Sequence, residues 1–486
     1  MMPTLWEAVA KARQAELRRE AEHQRLARLA RSRTGGDSGR PWPGRLAAAG
    51  LGLATSLRRR WSASRPEQHA SLPPTVAPAV VVGAGSAGLA AAAALQRRGI
   101  QAVVLEQGPS VATSWRGRHQ ELRLNTIRWL SDLPGLRLPR SAGRWVSRDD
   151  YVAYLERYAA HQRLDIRFGV QVQRLDPSPG GWRVATSTGA YQTDQVVVAT
   201  GYDRVPWLPD WPGRDGFATP VLHVAELRRA ADLVGRRVLL VGAGNSGVEI
   251  GGHLVDAGVA ALWVSVRTPP TILPRELAGL PLHPLTWVLR ILPERVRDAN
   301  ARLLARLAFG DLARYGLPAP RQGPYERLRT TGVTVAVDQG FVAHLKAGRL
   351  QIVAEVDRFA GATVVLRDGR RLRPDVVVAA TGFRRGLEPL VGHLGVLDAA
   401  GQPRGGSGMP TPGAPGLWFV GYRTAIEGNL RQHPTETRHI AHAIARARAN
   451  TSRDATSVRL HRGTPIAGPI PHGDAPATTN PARRTS

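Results

Sequence analysis

Two glycine-rich segments constrain this chain more than anything else in it. The first reads Ala79-Val-Val-Val-Gly83-Ala-Gly85-Ser86-Ala-Gly88 and runs into Leu89-Ala-Ala-Ala-Ala-Ala-Leu95. The second reads Arg237-Val-Leu-Leu-Val-Gly242-Ala-Gly244-Asn245-Ser246-Gly247 and runs into Val248-Glu-Ile-Gly-Gly-His-Leu254. In each, a β-branched run enters a glycine triplet that opens a helix. The first glycine permits the tight turn, the second lets a pyrophosphate approach the backbone, and the third lets helix and strand pack closely. The free N–H groups of the helix start then face the phosphates. Two such loops on one chain predict an α/β fold with two Rossmann-like dinucleotide-binding units.

The residue ending the next strand separates the two ligands. After the first loop, Gln101-Ala-Val-Val-Leu105 ends at Glu106, 18 residues beyond Gly88. A carboxylate there accepts from free ribose hydroxyls and repels a 2′-phosphate. After the second, Leu262-Trp-Val-Ser-Val266 ends at Arg267, 20 residues beyond Gly247. A guanidinium pairs with a 2′-phosphate. The first unit therefore fits the adenosine half of FAD and the second fits NADPH, with hydride passing from nicotinamide to flavin. Two further strands, Val196-Val-Val-Ala-Thr200-Gly201 and Val376-Val-Val-Ala-Ala-Thr381-Gly382, echo each other as closing strands of the two units.

Composition narrows what reoxidises the flavin. The 486 residues include no cysteine, which removes dithiol, iron–sulfur and thiolate–metal chemistry. The 14 histidines are scattered and show no metal-ligand spacing, so no metal site is expected. A quinone, a protein partner or O2 remains. The formal charge is +28, and of 66 basic residues only Lys11 and Lys346 are lysine. No recognition motif accompanies that charge, so no specific nucleic-acid partner is expected.

The ends differ from the middle. Residues 1–75 carry 14 Arg/Lys against 6 Asp/Glu and read as a basic extension with an amphipathic helix over 5–33. It is a poor signal peptide; the alternatives are a flexible extension and an interfacial membrane anchor. No run approaches the ~18–20 apolar residues of a spanning helix. The remaining divisions are 76–205 (FAD unit, first part), 206–374 (NADPH unit, with a helical lid over 277–330), 375–447 (FAD unit, return) and 448–486 (disordered tail). Within the lid, Leu277 to Tyr315 reads as two basic amphipathic helices, either packed over the substrate or touching a membrane. A cytoplasmic enzyme, with peripheral membrane contact as an option, is the expectation.

Over about 77–447 the sequence resembles the flavin-containing monooxygenases, among them the YUCCA-type indole-3-pyruvate monooxygenases and their bacterial relatives. The likeness extends to Ser114-Trp115, Leu122-Arg-Leu124-Asn125-Thr126, Ser131-Asp-Leu-Pro134, Val221-Leu-His223, Leu273-Pro-Arg275-Glu276, Arg314-Tyr-Gly-Leu317, Val377-Val-Ala-Ala-Thr381-Gly-Phe383 and Gly416-Leu-Trp-Phe-Val-Gly421. It implies an NADPH- and FAD-dependent monooxygenase that inserts one atom of O2 into a small substrate through a C4a-hydroperoxyflavin. Both N- or S-oxygenation and oxidative decarboxylation of a 2-oxo acid such as indole-3-pyruvate fall within it. The resemblance assigns flavin contact to Ser114, Trp115, Leu124 and Asn125. It makes Asn125 the candidate hydrogen-bond donor to the oxygenating adduct, and it places Thr381 at a cofactor.

Two departures stand out. The family's Phe-x-Gly-x-x-x-His motif, with an aromatic four residues on, here reads Phe217-Ala-Thr219-Pro-Val-Leu-His223 followed by Leu227. Asn125 replaces the histidine of the plant enzymes. The drift keeps open an alternative, a non-oxygenating NAD(P)H-dependent flavoprotein reductase or oxidase.

Overall fold

A computed structural model describes residues 74–282 and 289–462. The amphipathic segment expected over 5–33, the anchor readings at the amino end and residues 463–486 lie outside it. Along the chain run β1 (Val80–Val82), α1 (Ser86–Gln96), β2 (Val103–Glu106), α2 (Arg148–His161), β3 (Asp165–Phe168) and β4 (Val196–Val198). Next come β5 (Val221–His223), β6 (Arg237–Val241), α3 (Asn245–Ala257), β7 (Ala261–Ser265) and α4 (Glu294–Phe309). The chain closes with β8 (Gln351–Val353), β9 (Val376–Ala379), β10 (Leu417–Phe419) and α5 (His433–Arg462).

Two five-stranded sheets result, both wholly parallel. The first has the order β10-β4-β1-β2-β3 and the second β5-β9-β6-β7-β8. They are the same layout twice: β1 matches β6, β2 matches β7, β3 matches β8 and β4 matches β9. Each unit adds an antiparallel meander, Val172–Ser178/Gly181–Thr186/Gly189–Thr193 in the first and Val356–Ala360/Thr363–Leu366/Arg371–Leu372 in the second. Continuous valine runs suit strands covered on both faces. In α1 every residue from Ser86 to Leu95 is buried, because the sheet covers one side while α2 and α5 cover the others. Poly-alanine is what such a helix requires, since small side chains let three neighbours approach its backbone.

Two boundaries move. β9 pairs with β5 and β6, so it closes the NADPH unit, and the return to the FAD unit begins after it rather than at 375. The tail expected to be disordered from 448 is helical as far as Arg462. Ile440, Ala441 and Ile444 seat α5 on α1, and Arg448 pairs with Asp194 at 2.7 Å.

The two crossings between units touch each other. Val205–Pro206 pairs antiparallel with Phe383–Arg384, and Trp207 N–H donates to the Gly382 carbonyl at 3.1 Å. Arg204 Nη1 donates to the Gly386 carbonyl at 2.7 Å. A short ribbon thus joins the outgoing and returning segments. In the lid, the second expected helix is α4; Leu289–Ile291 is a single 3-10 turn, and residues 283–288 lie outside the described part.

Candidate functional site

The glycine loops are nearly superimposable in their constraints. Gly83 has φ +106°, and a Cβ there would lie 2.7 Å from the Ala199 carbonyl oxygen; Gly242 has φ +105° and would lie 2.6 Å from that of Ala380. A Cβ on Gly88 would meet the Gly83 oxygen at 1.9 Å, and one on Gly247 the Gly242 oxygen at 2.0 Å. The middle glycines, Gly85 and Gly244, have no atom within 4 Å on the side a Cβ would take, and each caps its helix with no side-chain partner. Crowding on one side, open space on the other and uncapped amides make an anion cradle. The residues present fit two dinucleotides.

A cavity of about 590 Å³ connects the two loops. Gly83, Gly85, Ser86, Glu106, Ser114, Trp115, Leu124 and Asn125 line it from the first unit, and Asn245 and Ser246 from the second. Of the other expected site residues, Gly88, Gly242, Gly247 and Thr381 are buried or half-buried and do not line it, while Gly244 and Arg267 are exposed and lie outside it.

Glu106 is buried and takes two loop amides, Ala84 N–H at 2.7 Å and Gly108 N–H at 2.8 Å. Its carboxylate therefore braces the first loop as well as facing the cavity. Arg267 follows β7 with its side chain 68% exposed and, among the described residues, only Glu355 within ion-pair reach, at 4.0 Å. Glu355 is itself held by Arg367 at 3.1 Å, so the Arg267 guanidinium has little competing for it. Thr381 donates its hydroxyl to the Trp207 carbonyl, which ties it to the crossing ribbon. Thr200, its counterpart in the first unit, does line the cavity, and its hydroxyl pairs with Tyr422 Oη at 2.7 Å. Asn245 is also partly structural: its Oδ1 accepts from Val337 N–H at 3.0 Å and its Nδ2 donates to Thr334 at 3.3 Å.

Asn125 is held by a chain that starts at Gln339, outside every motif named above, and leads to Arg275 and Glu276 of the Leu273–Glu276 motif. Gln339 Nε2 donates to Asn125 Oδ1 at 3.0 Å, and Arg275 Nη1 donates to Gln339 Oε1 at 2.7 Å. Arg275 lies over the Trp145 ring at 4.6 Å, and Trp145 Nε1 donates to Glu276. With its oxygen occupied, Asn125 keeps its amide hydrogens without a protein partner among the described residues. Trp115 meets Tyr151 edge-on at 4.9 Å, which fixes the indole at the cavity wall. Ser131 and Asp132 work behind the wall: the Ser131 hydroxyl caps Thr126 and Ile127 carbonyls, and Asp132 accepts from Leu138 N–H.

The drifted motif is a structural joint. His223 Nδ1 accepts from Ala225 N–H at 3.1 Å, which leaves Nε2 protonated to donate to the Gly382 carbonyl at 3.0 Å. Burial pushes its pKa down, keeping the ring neutral. Its ring packs edge-on against Phe383 at 4.9 Å. Phe217 packs on Phe359 at 4.6 Å, and Leu227 is buried in the core of the second unit where the family has an aromatic.

Residues 80–272 match the family described as pyridine nucleotide-disulphide oxidoreductase, although the chain has no cysteine for dithiol chemistry. The indole-3-pyruvate monooxygenase YUCCA1 of Oryza sativa subsp. japonica is 36% identical over 353 residues, covering 71% of this chain and 86% of the relative. The solved flavin-containing monooxygenase from Stenotrophomonas maltophilia superposes with a TM-score of 0.59 at 24% identity, over 77% of this chain and 99% of that one. Cyclohexanone monooxygenase from Rhodococcus sp. Phi1, solved with NADP+, gives a TM-score of 0.57 at 20% identity, over 78% of this chain and 85% of that one. With two nucleotide cradles of the same build, and with 36% identity over 71% of its length, the chain belongs to the flavin-dependent monooxygenases that include the YUCCA enzymes, oxidoreductases using FAD, NADPH and O2.

Proposed function

We propose that this monooxygenase acts on a small aromatic 2-oxo acid, inserting one oxygen atom with loss of CO2. The observation that carries this reading is a pair of arginines, Arg118 and Arg204, on the wall of the cavity that also holds Asn125. Arg118 has a single ion-pair partner among the described residues, Asp203 at 3.5 Å, and lies 4.9 Å from the Phe383 ring. A guanidinium beside an aromatic face suits a planar carboxylate and disfavours a cationic amine. The relative named for indole-3-pyruvate supports the same substrate class.

In this reading Gly83, Gly85, Ser86, Gly88 and Glu106 hold FAD, with Ser114, Trp115, Leu124 and Asn125 around its reactive end. Gly242, Gly244, Asn245, Ser246, Gly247 and Arg267 hold NADPH. Thr381 serves the cofactors indirectly, by fixing the crossing ribbon. The chemistry supplied by bound FAD is acceptance of a hydride from NADPH and activation of O2. This chain's residues position and protect that chemistry. Asn125, its oxygen fixed by Gln339, presents N–H donors into the cavity. Trp115 and Leu124 exclude water there, which strengthens every hydrogen bond inside.

The test is product analysis by mass spectrometry with NADPH and 18O2, across an amine, a sulfide and an aromatic 2-oxo acid. A carboxylic acid one carbon shorter, carrying one 18O, is expected from the 2-oxo acid alone. Hydrogen peroxide as the sole product with all three would remove the proposal.

A finer reading concerns location. Among the described residues no helix is long and apolar enough to cross a membrane. On α4, Leu303 and Leu307 are 56% and 71% exposed beside Arg302 and Arg306, an arrangement suited to an anionic lipid surface. Co-sedimentation with anionic vesicles tests this; full recovery in the supernatant at low salt counts against it.

A further inference from the structure

Every turnover of an NADPH-dependent monooxygenase consumes one proton: NADPH + H+ + O2 + substrate gives NADP+, oxygenated substrate and water. Uncoupled turnover consumes one as well: NADPH + H+ + O2 gives NADP+ and H2O2. A cavity that excludes water must still receive that proton.

At the edge of the cavity, outside the glycine loops, lies a cluster of buried titratable side chains. Glu249, in the second turn of α3, lines the cavity and is only 8% exposed. Among the described residues its Oε1 has no hydrogen-bond partner, and the nearest basic atom is His119 Nε2 at 3.8 Å. The other nitrogen, His119 Nδ1, is also unpartnered and lies 3.5 Å from Glu121 Oε2, a third orphan. A fourth is His253 Nε2, whose ring centre is 5.7 Å from that of His119. Buried polar atoms without partners are rare, and four in one file call for an explanation. The two gaps, 3.5 and 3.8 Å, are within about one ångström of hydrogen-bond length. The file leads outward, since the Glu121 side chain is 30% exposed.

We propose that Glu121, His119 and Glu249 form the path by which the proton enters the cavity, with Glu249 as the group that delivers it. In the step, the Glu249 O–H bond breaks and its proton goes to the oxygen being reduced. The resulting carboxylate takes the Nε2 proton of His119, and Nδ1 of the same ring takes one from Glu121, which recharges from solvent. The ring then turns about Cβ–Cγ to carry the Nδ1 proton to Glu249 for the next delivery, and turns back once unloaded, so that the net transfer in each turnover is one proton from solvent to the reduced oxygen.

The surroundings suit this traffic. Burial raises the Glu249 pKa to about 7 against the opposing pull of Arg275 and Arg118, with the Arg123 backbone and Gln339 also facing it. Burial, then the neighbouring His253, holds His119 down to about 4 while Glu121 pulls the other way and Arg118 adds to the lowering. His253 is lowered by burial, with Glu121, Asp256, Arg123 and Arg275 around it. His119 is thus a neutral carrier, and Glu249 holds a proton up to neutral pH.

The inference rests on the monooxygenase assignment and not on the substrate, because uncoupled turnover takes up the same proton. Two measurements test it. First, infrared titration of the flavin-loaded protein without NADPH should show a carboxylic-acid C=O band lost with a midpoint near pH 7 and absent from Glu249→Gln. Second, an indicator dye should follow proton uptake during uncoupled single turnover. His119→Gln and Glu249→Gln should each slow uptake at least tenfold while the rate of flavin bleaching by NADPH stays within twofold of the parent. Added imidazole should restore uptake in His119→Gln. A band that persists in Glu249→Gln, or wild-type uptake in both variants, would overturn the proposal. A failed 2-oxo acid assay would leave these readings unchanged.

Discussion

Gln339 and Asn125 meet through a 3.0 Å hydrogen bond across units, Asn125 from the flavin side and Gln339 from the nicotinamide side. The bond decides which end of the Asn125 amide the cavity sees. Gln339→Leu removes it, freeing the amide to turn its oxygen inward. A lost hydrogen bond of about 1 kcal/mol corresponds to roughly a fivefold change. Product formed per NADPH should fall by about that factor, with H2O2 rising to match and flavin content unchanged. Unaltered coupling would show that Asn125 is oriented by something else.

Arg267→Ala should raise the KM for NADPH by about tenfold to a hundredfold, from about 1.5–3 kcal/mol for a charge-assisted contact. The KM for NADH should hardly move. Steady-state kinetics with both nucleotides checks this, and equal effects would remove the phosphate assignment.

Gly88→Ala and Gly247→Ala each push a Cβ to within 2.0 Å of a carbonyl oxygen. The helix must then retreat from its loop, at a cost of about 1–3 kcal/mol or more. Gly88→Ala should purify with little flavin. Gly247→Ala should remain yellow but be reduced slowly by NADPH. Absorbance spectra and stopped-flow reduction separate the two.

The absence of cysteine offers a clean probe of the crossing ribbon. Val205 and Arg384 are register partners. The double substitution Val205→Cys/Arg384→Cys places two thiols opposite each other in an otherwise thiol-free chain. Oxidation should lower turnover severalfold if the units shift during the cycle, and dithiothreitol should restore it. Full activity in the oxidised form would mean that the ribbon stays closed throughout.

Two buried groups pull stability in opposite directions across one window, between about pH 4 and pH 7. Burial drops His433 to about 4. Between pH 6.5 and that value the unfolded chain binds more protons, so stability falls as pH falls. Glu249 has the reverse sign. Its folded pKa, about 7, exceeds the unfolded value, so its contribution is complete below about 4.5 and is lost as pH rises through 7. Thermal melts between pH 4.5 and 6.5 should show His433→Gln rising less steeply with pH than the parent and Glu249→Gln rising more steeply, with all three slopes alike above pH 7. Parallel curves for all three proteins would contradict both assignments.

The glycine loops and Glu106 were legible because backbone approach admits almost one residue type at those positions. Arg267 was legible through its strand-end spacing. Gln339, Glu249 and His119 were not, since their roles come from tertiary contacts between distant segments and no motif encodes them. Glu249 did stand inside a recognised helix, but its burial does not show in the letters. Val376-Val-Val-Ala379 was legible as a closing strand through its echo of Val196-Val-Val-Ala-Thr200, and its pairing with β5 and β6 puts the boundary after it and not at 375. The tail from 448 reads as polar and low in apolar content, but Ile440 and Ile444, one turn apart, anchor the helix that continues to Arg462.

The placement of β10 beside β4, with Val197 opposite Trp418, has a consequence for biosynthesis. A ribosome makes β1 to β4 early, but their edge partner and the α5 cover of α1 emerge only after the entire nicotinamide unit. The later-encoded unit can therefore mature on the nascent chain while the earlier one waits, exposing alanine-rich surface until translation is almost finished. Any stop codon before β10 would strand a finished second unit beside an unfinished first.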